Sequence, residues 1–200
     1  MGEQRPASGQ AWKGFNAQLA CDYYVEHGAI DEKGFWNLFD DMFQIRMLEL
    51  PDLDWVLFDH ALSVFRRVPL LTHYRAIAAG MSMPFEGISE FCEAAVRAGD
   101  MPPWTLHQTS FPRFPEGELR IGELMVAVGA LDQAAVDRSL EIKKIIKSET
   151  GIDAAVGQIF RSVSRLSLPD FFQVLGHQVG IPFESMNASA PAIFEAAMKR

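Results

Sequence analysis

Five histidines could in principle do acid–base chemistry or bind metal: His27, His60, His73, His107 and His177. They are scattered. No His-Glu-x-x-His and no Cys-x-x-Cys pair is present, the spacings that place two ligands on one helix face or one turn, so no zinc site is signalled. His177-Gln178 reads as a pair on a helix face. No Gly-x4-Gly-Lys-Ser/Thr loop is available to cradle phosphates, and no Gly-x-Ser-x-Gly elbow to expose a serine nucleophile. Carboxylates gather at Asp40-Asp41, Asp52, Asp54 and Asp59. A general acid and base need a shared cleft that pulls their pKa values apart, and this spacing implies none. A solvated acidic face is the expectation. Lys143, Lys144 and Lys147 could meet a phosphate, but cations near the end of a helix are ordinarily placed there by its dipole. The chemistry-bearing residues therefore point to a non-enzymatic protein.

The chain that carries them has 200 residues, enough for one large or two small domains. At 48% hydrophobic and 22% charged it can build an ordinary core. The net charge of -8 is uneven: 8 Lys/Arg face 15 Asp/Glu in residues 1–100, and 10 face 11 in residues 101–200. The acidic half should repel nucleic acid, and an anionic ligand would prefer the second half. The first ten residues, MGEQRPASGQ, lack the apolar stretch of a secretory signal. Cys21 and Cys92 are then expected to be reduced structural thiols in a cytoplasmic setting. No apolar run is long enough to span a membrane.

Stop and start signals outline the elements. Residues 100–119 (DMPPWTLHQTSFPRFPEGEL) hold Pro102, Pro103, Pro112 and Pro115 and read as a linker. Asp132 suits a helix N-cap, with Leu131 and Val136 at the two positions of a hydrophobic staple. Ile30-Asp31 with Phe35, and Leu166-Ser167 with Phe171, have the same form, and Pro169 fits an early helical turn. Phe35, Leu38 and Phe39 form an apolar stripe at helical spacing, which is read as core.

These units recur. Val25-Glu-His-Gly28-Ala29-Ile30-Asp31 matches Val126-Ala-Val-Gly129-Ala130-Leu131-Asp132, and Met83-Pro84-Phe85-Glu86 matches Ile181-Pro182-Phe183-Glu184. Two ordered matches about 100 positions apart suggest a duplication. Gly28 and Gly129 stand where a first helix closes in the left-handed conformation. The expected architecture is mainly α: two related helical domains built from repeated helix–Gly turn–helix units. A tail covers 1–14, the first domain 15–99, the linker 100–119 and the second domain 120–200.

The segment Arg120-Ile-Gly-Glu-Leu-Met-Val-Ala-Val-Gly129 resembles the opening motif of the MshEN family, the N-terminal domain of type II secretion and type IV pilus ATPases. A second copy of that motif is similar to Val156-Gly157-Gln-Ile159-Phe160, continuing through Leu166, Phe171 and Leu175 to Gln178 and closing at Gly180-Ile181-Pro182-Phe183. A degenerate likeness covers about 15–87. The resemblance implies two roles. One is docking to a protein partner, such as a secretion, pilus or glycan-export component. The other is binding of cyclic di-GMP by Arg120, Ile121, Gly122, Val126, Gly129, Gly157 and Gln178. Arg120 would supply a planar fork of donors, and Gly122 and Gly129 would let the ligand approach the backbone. The chain departs from the motif at Ala155, where Arg is expected, at Ser164 for the turn glycine and at Lys143 for the first terminal Gln. In the first half Leu19 replaces the Arg and Cys21 the Gly. A symmetric dinucleotide loses a contact at each departure, so docking is the first expectation and a cyclic di-GMP receptor the alternative. No metal, cofactor or nucleic-acid partner is expected.

Overall fold

The caps read from the sequence start helices where they were expected to. The computed structural model describes residues 14–50, 57, 59, 62, 63, 67–98, 119–164 and 166–199. Nine helices run through these residues, with no strand among them. They are α1 (Ala17–Glu26), α2 (Glu32–Arg46), α3 (Leu70–Gly80), α4 (Ile88–Ala98), α5 (Ile121–Ala127), α6 (Gln133–Thr150), α7 (Val156–Val163), α8 (Leu168–Val179) and α9 (Met186–Met198). Leu57, Asp59, Leu62 and Ser63 are helical as well. The mainly α expectation holds. The tail expected over 1–14 and the proline-rich linker over 100–119 fall, apart from Gly14 and Leu119, outside the described residues. No described helix is long and apolar enough to cross a membrane.

The same local chemistry begins successive helices. Asp31 Oδ1 accepts from Gly34 N at 2.5 Å, Asp132 Oδ1 from Ala135 N at 2.7 Å, and Ser167 Oγ from Asp170 N at 3.2 Å. Each cap satisfies a first-turn N–H that has no partner within its own helix. Behind each cap an apolar pair packs, and Phe35, Val136 and Phe171 are buried. The turns before the caps also match. Gly28 and Gly129 have φ of 62° and 73°. Ala29 N and Ala130 N reach back to Tyr24 O and Met125 O, each at 2.9 Å. At the ends of α3 and α8, Ser82 and Gly180 have φ of 54° and 71°. Met83 N and Ile181 N bond to Ala78 O and Gly176 O, again at 2.9 Å. Equivalent positions thus lie 101 residues apart across α1–α2 and α5–α6, and 98 apart across α3–α4 and α8–α9.

Packing follows the same equivalence. α1 packs on α3 as α5 packs on α8, and α3 on α4 as α8 on α9. In addition α2 packs on α6 and α4 on α9, so two helices meet their own counterparts. The apolar interior falls into two clusters, and each draws on both sides of residues 99–118. One joins Tyr74, Ile77, Phe91 and Cys92 to Met125, Phe160, Phe172 and Ile193. The other joins Tyr24, Phe35, Leu57 and Leu62 to Ile142, Ile146, Ile159 and Val163.

Candidate functional site

The residues singled out for ligand contact gather around the start of α5. Arg120 is its N-cap and is exposed. The backbone N–H of Arg120 donates to Glu123 Oε2 at 2.7 Å. Glu123 thereby occupies the N3 position of half a capping box, where its charge also suits the helix N-terminus. The guanidinium of Arg120 has no ion pair or hydrogen bond among the described residues. Gln178, near the end of α8, donates from Nε2 to Leu119 O at 3.3 Å, which brings it beside Arg120. Ile121 and Val126 are half-buried, and Gly129 is exposed in its left-handed turn.

Two of the glycines are turned inward. A Cβ added to Gly122 would lie 3.1 Å from Val136 Cγ1 and 3.5 Å from Phe160 Cζ. A Cβ added to Gly157 would lie 3.0 Å from Phe171 Cε2 and 3.3 Å from Cζ. Val136 and Phe171 are the staple residues of the helices that follow, each 14 positions on. These glycines let short helices α5 and α7 settle against α6 and α8. In the second unit Ala155 takes the place of Arg120, and its N–H donates to Gln158 Oε1 at 2.9 Å. The cap geometry survives there while the guanidinium is lost. Lys143 and Lys147 both pair with Asp153, at 3.0 and 3.3 Å, and so hold the loop after α6. The helix dipole alone does not account for them.

The second constellation is buried. Tyr24 Oη lies 2.5 Å from His73 Nδ1, and His73 Nε2 lies 2.5 Å from Asp59 Oδ1. All three side chains are at most 1% exposed. An ionised carboxylate only accepts, so His73 donates from Nε2; with the ring neutral, Nδ1 accepts from the Tyr24 hydroxyl. Tyr74 also hydrogen-bonds to Asp59, and burial together with that carboxylate pushes the Tyr74 hydroxyl well above its ordinary pKa. Tyr24 is raised in the same way, by burial first and Asp59 second. Both therefore remain neutral donors. Arg161 of α7 is equally buried and donates from Nη1 to Leu166 O at 2.7 Å. The expectation of a solvated acidic face fails at Asp59, which is in the core as the acceptor of this network.

No family profile, curated protein or solved structure matches this chain. Its sites are accordingly read from their own geometry. Gln178 lies beside Arg120 through its hydrogen bond to Leu119 O. The buried cluster instead joins Asp59, expected on a solvated face, and His73, expected to be scattered, with Tyr24. Neither Tyr24 nor Arg161 was singled out in the sequence. A signal was present for His73 and Arg161. His73 interrupts the apolar face of Leu70, Tyr74 and Ile77, and Arg161 stands between Phe160 and Val163. Among the described residues no group of three or more His, Cys, Asp or Glu side chains could hold a metal ion.

Proposed function

We propose that this chain is a non-enzymatic docking or regulatory protein, similar to the N-terminal domains of secretion and pilus ATPases and built from two related helical domains. The observation that carries the reading is the edge where α5 begins and α8 ends. There Gln178 is tied to the Leu119 carbonyl, while the Arg120 guanidinium stands exposed beside it with no partner among the described residues. Arginine is among the residues that dominate protein interfaces, because its planar fork and long apolar stem combine donors with contact area. The matched caps and turns at 101 and 98 residues support the related halves. The Asp59–His73–Tyr24 constellation is sealed in the core, where no substrate reaches it, which favours binding over catalysis at that place. The partner class proposed is a component of a secretion, pilus or glycan-export assembly. A photo-crosslinking residue at position 120 should give a discrete adduct with such a component in cells, and the same residue at exposed Glu141 on α6 should not. Equal labelling at the two positions, or adducts with no component of that kind, removes the reading.

A second reading, a cyclic di-GMP receptor, rests on the same exposed guanidinium next to Gln178. Titration calorimetry with cyclic di-GMP tests it directly. Binding should weaken about tenfold or more in Arg120→Ala, given the roughly 1.5–3 kcal/mol of a charge-assisted hydrogen bond. Arg120→Lys should not fully restore it, since a point charge lacks the fork. Wild-type protein that does not bind leaves docking alone.

A further inference from the structure

One face of α7 is polar and buried. Gln158 and Ser162 are 1% and 2% exposed. They stand at i and i+4 of the helix, one turn apart on the same side. Ile159 and Val163 belong to the cluster that holds Ile142 and Ile146, while Phe160 belongs to the cluster around Phe172. The short helix is thus wedged between the two apolar interiors, and its polar face is closed to bulk water.

Part of Gln158 is already committed. Its Oε1 accepts from the backbone N–H of Ala155 at 2.9 Å, the bond that closes the start of α7. That bond fixes the plane of the amide and, with it, the direction of Nε2. Among the described residues Gln158 Nε2 has no acceptor and Ser162 Oγ has no hydrogen-bond partner. The amide, drawn toward the start of the helix, does not bond to Ser162 Oγ itself. Ser164 Oγ is unmatched as well, but it lies two residues beyond Ser162, about 200° further round the helix, and so belongs to another side.

Left bare, a buried amide N–H and a buried hydroxyl each lose their hydration and gain nothing in return. One water placed between them accepts from Nε2 and donates to Oγ. Holding a single water costs less than stranding two polar groups, and internal waters in proteins occupy positions of this kind. The span suits it: side chains at i and i+4 have Cβ atoms roughly 5–6 Å apart, a gap that one small molecule bridges.

We propose that Gln158 and Ser162, independently of any docking role, form a binding site for one internal water molecule that is part of the folded core. The full chain is crystallised as wild type and as Ser162→Ala, at a resolution that shows ordered waters. Melting temperatures are compared for wild type, Ser162→Ala, Gln158→Met and the double variant. The wild-type crystal should hold a water about 3 Å from both Gln158 Nε2 and Ser162 Oγ, and the Ser162→Ala crystal should lack it. Ser162→Ala should lower the melting temperature by about 2–4 °C. The same change should matter less beside Gln158→Met, where the bridge is already broken. A Ser162→Ala protein that melts at or above the wild-type temperature overturns the proposal, since deleting a bare buried hydroxyl relieves a penalty. So does an equal loss in both backgrounds, a wild-type crystal with no water at the pair, or one in which a protein group bonds to both atoms.

Discussion

Ser89 and Asn187, equivalent residues 98 positions apart, touch: the backbone N–H of Ser89 donates to Asn187 Oδ1 at 3.0 Å. A residue can meet its own counterpart only where the two halves face each other about a local axis, and this contact puts that axis at the first turns of α4 and α9. The contact is chemically one-sided. Asn187 accepts from α4 and donates from Nδ2 to Glu90 Oε2 at 2.8 Å. It thereby acts as an N-cap supplied from the other half of the chain, in a place where α4 begins beside Gly87 with no side chain of its own.

Asn187→Ala should therefore destabilise the protein by up to about 1 kcal/mol, the usual worth of a cap. The hydrogen bond from Asn187 is also the main cause that holds the Glu90 carboxyl below its ordinary pKa, followed by a backbone hydrogen bond. A carboxyl lowered in the folded state adds stability above its unfolded pKa and loses it as pH falls through the folded value. The stability gap between wild type and Asn187→Ala should shrink below about pH 4. Chemical denaturation across pH checks the trend, and a gap that widens in acid contradicts it.

Glycines 157 and 129 should fail for different reasons when changed to Ala. At Gly157 the new Cβ meets the Phe171 ring at 3.0 Å, an overpacking that costs about 1–3 kcal/mol. At Gly129 nothing lies within 4 Å, and the cost of about 1 kcal/mol comes from holding Ala at a φ of 73°. Adding Phe171→Leu should recover part of the loss in Gly157→Ala and none in Gly129→Ala. Thermal unfolding of the four proteins decides it; equal rescue at both sites would show that the ring contact is not the cause.

Tyr24→Phe keeps the ring and removes only the hydroxyl, which leaves His73 Nδ1 buried without a donor. A loss of about 1–3 kcal/mol is expected for an orphaned buried acceptor. Nitrogen NMR of the wild-type imidazole should show the hydrogen on Nε2 and an unprotonated, hydrogen-bonded Nδ1, because an ionised Asp59 can only accept. The opposite tautomer would make His73 the donor to Tyr24 and would require a protonated Asp59.

Both cysteines should be silent in the native protein. Cys21 and Cys92 are free and fully buried. Burial, with smaller contributions from Glu32 and Asp22, pushes the Cys21 thiol up to about 11. Burial and Asp59 raise Cys92 well above its ordinary value, partly opposed by Arg161. At pH 8 a thiol of pKa about 11 is thiolate about one part in a thousand, and the thiolate is the reactive form. A chromogenic disulfide reagent should label neither site at pH 8 and both after unfolding. Rapid labelling of the folded protein would place at least one thiol at the surface.

Short-range signals were legible in the sequence because their physics is local. Asp31, Asp132 and Ser167 cap helices since a side-chain oxygen two or three residues before a free N–H reaches it whatever else the chain does. Gly28 and Gly129 turn left-handed because they lack a Cβ. Those features carried the all-helical class and the two matching stretches 98 and 101 residues apart. The interior was decided elsewhere. Asp59 reads as one more acid after Asp52 and Asp54 until α1 and α3 bring Tyr24, His73 and Tyr74 around it. Burial of a charge is set by what surrounds it in space, and those partners lie between 14 and 35 positions away in the chain. Gly122 and Gly157 show the same division: the sequence marks each as a place without a side chain, while only the packing of α5 on α6 and α7 on α8 determines that Val136 and Phe171 fill the gap.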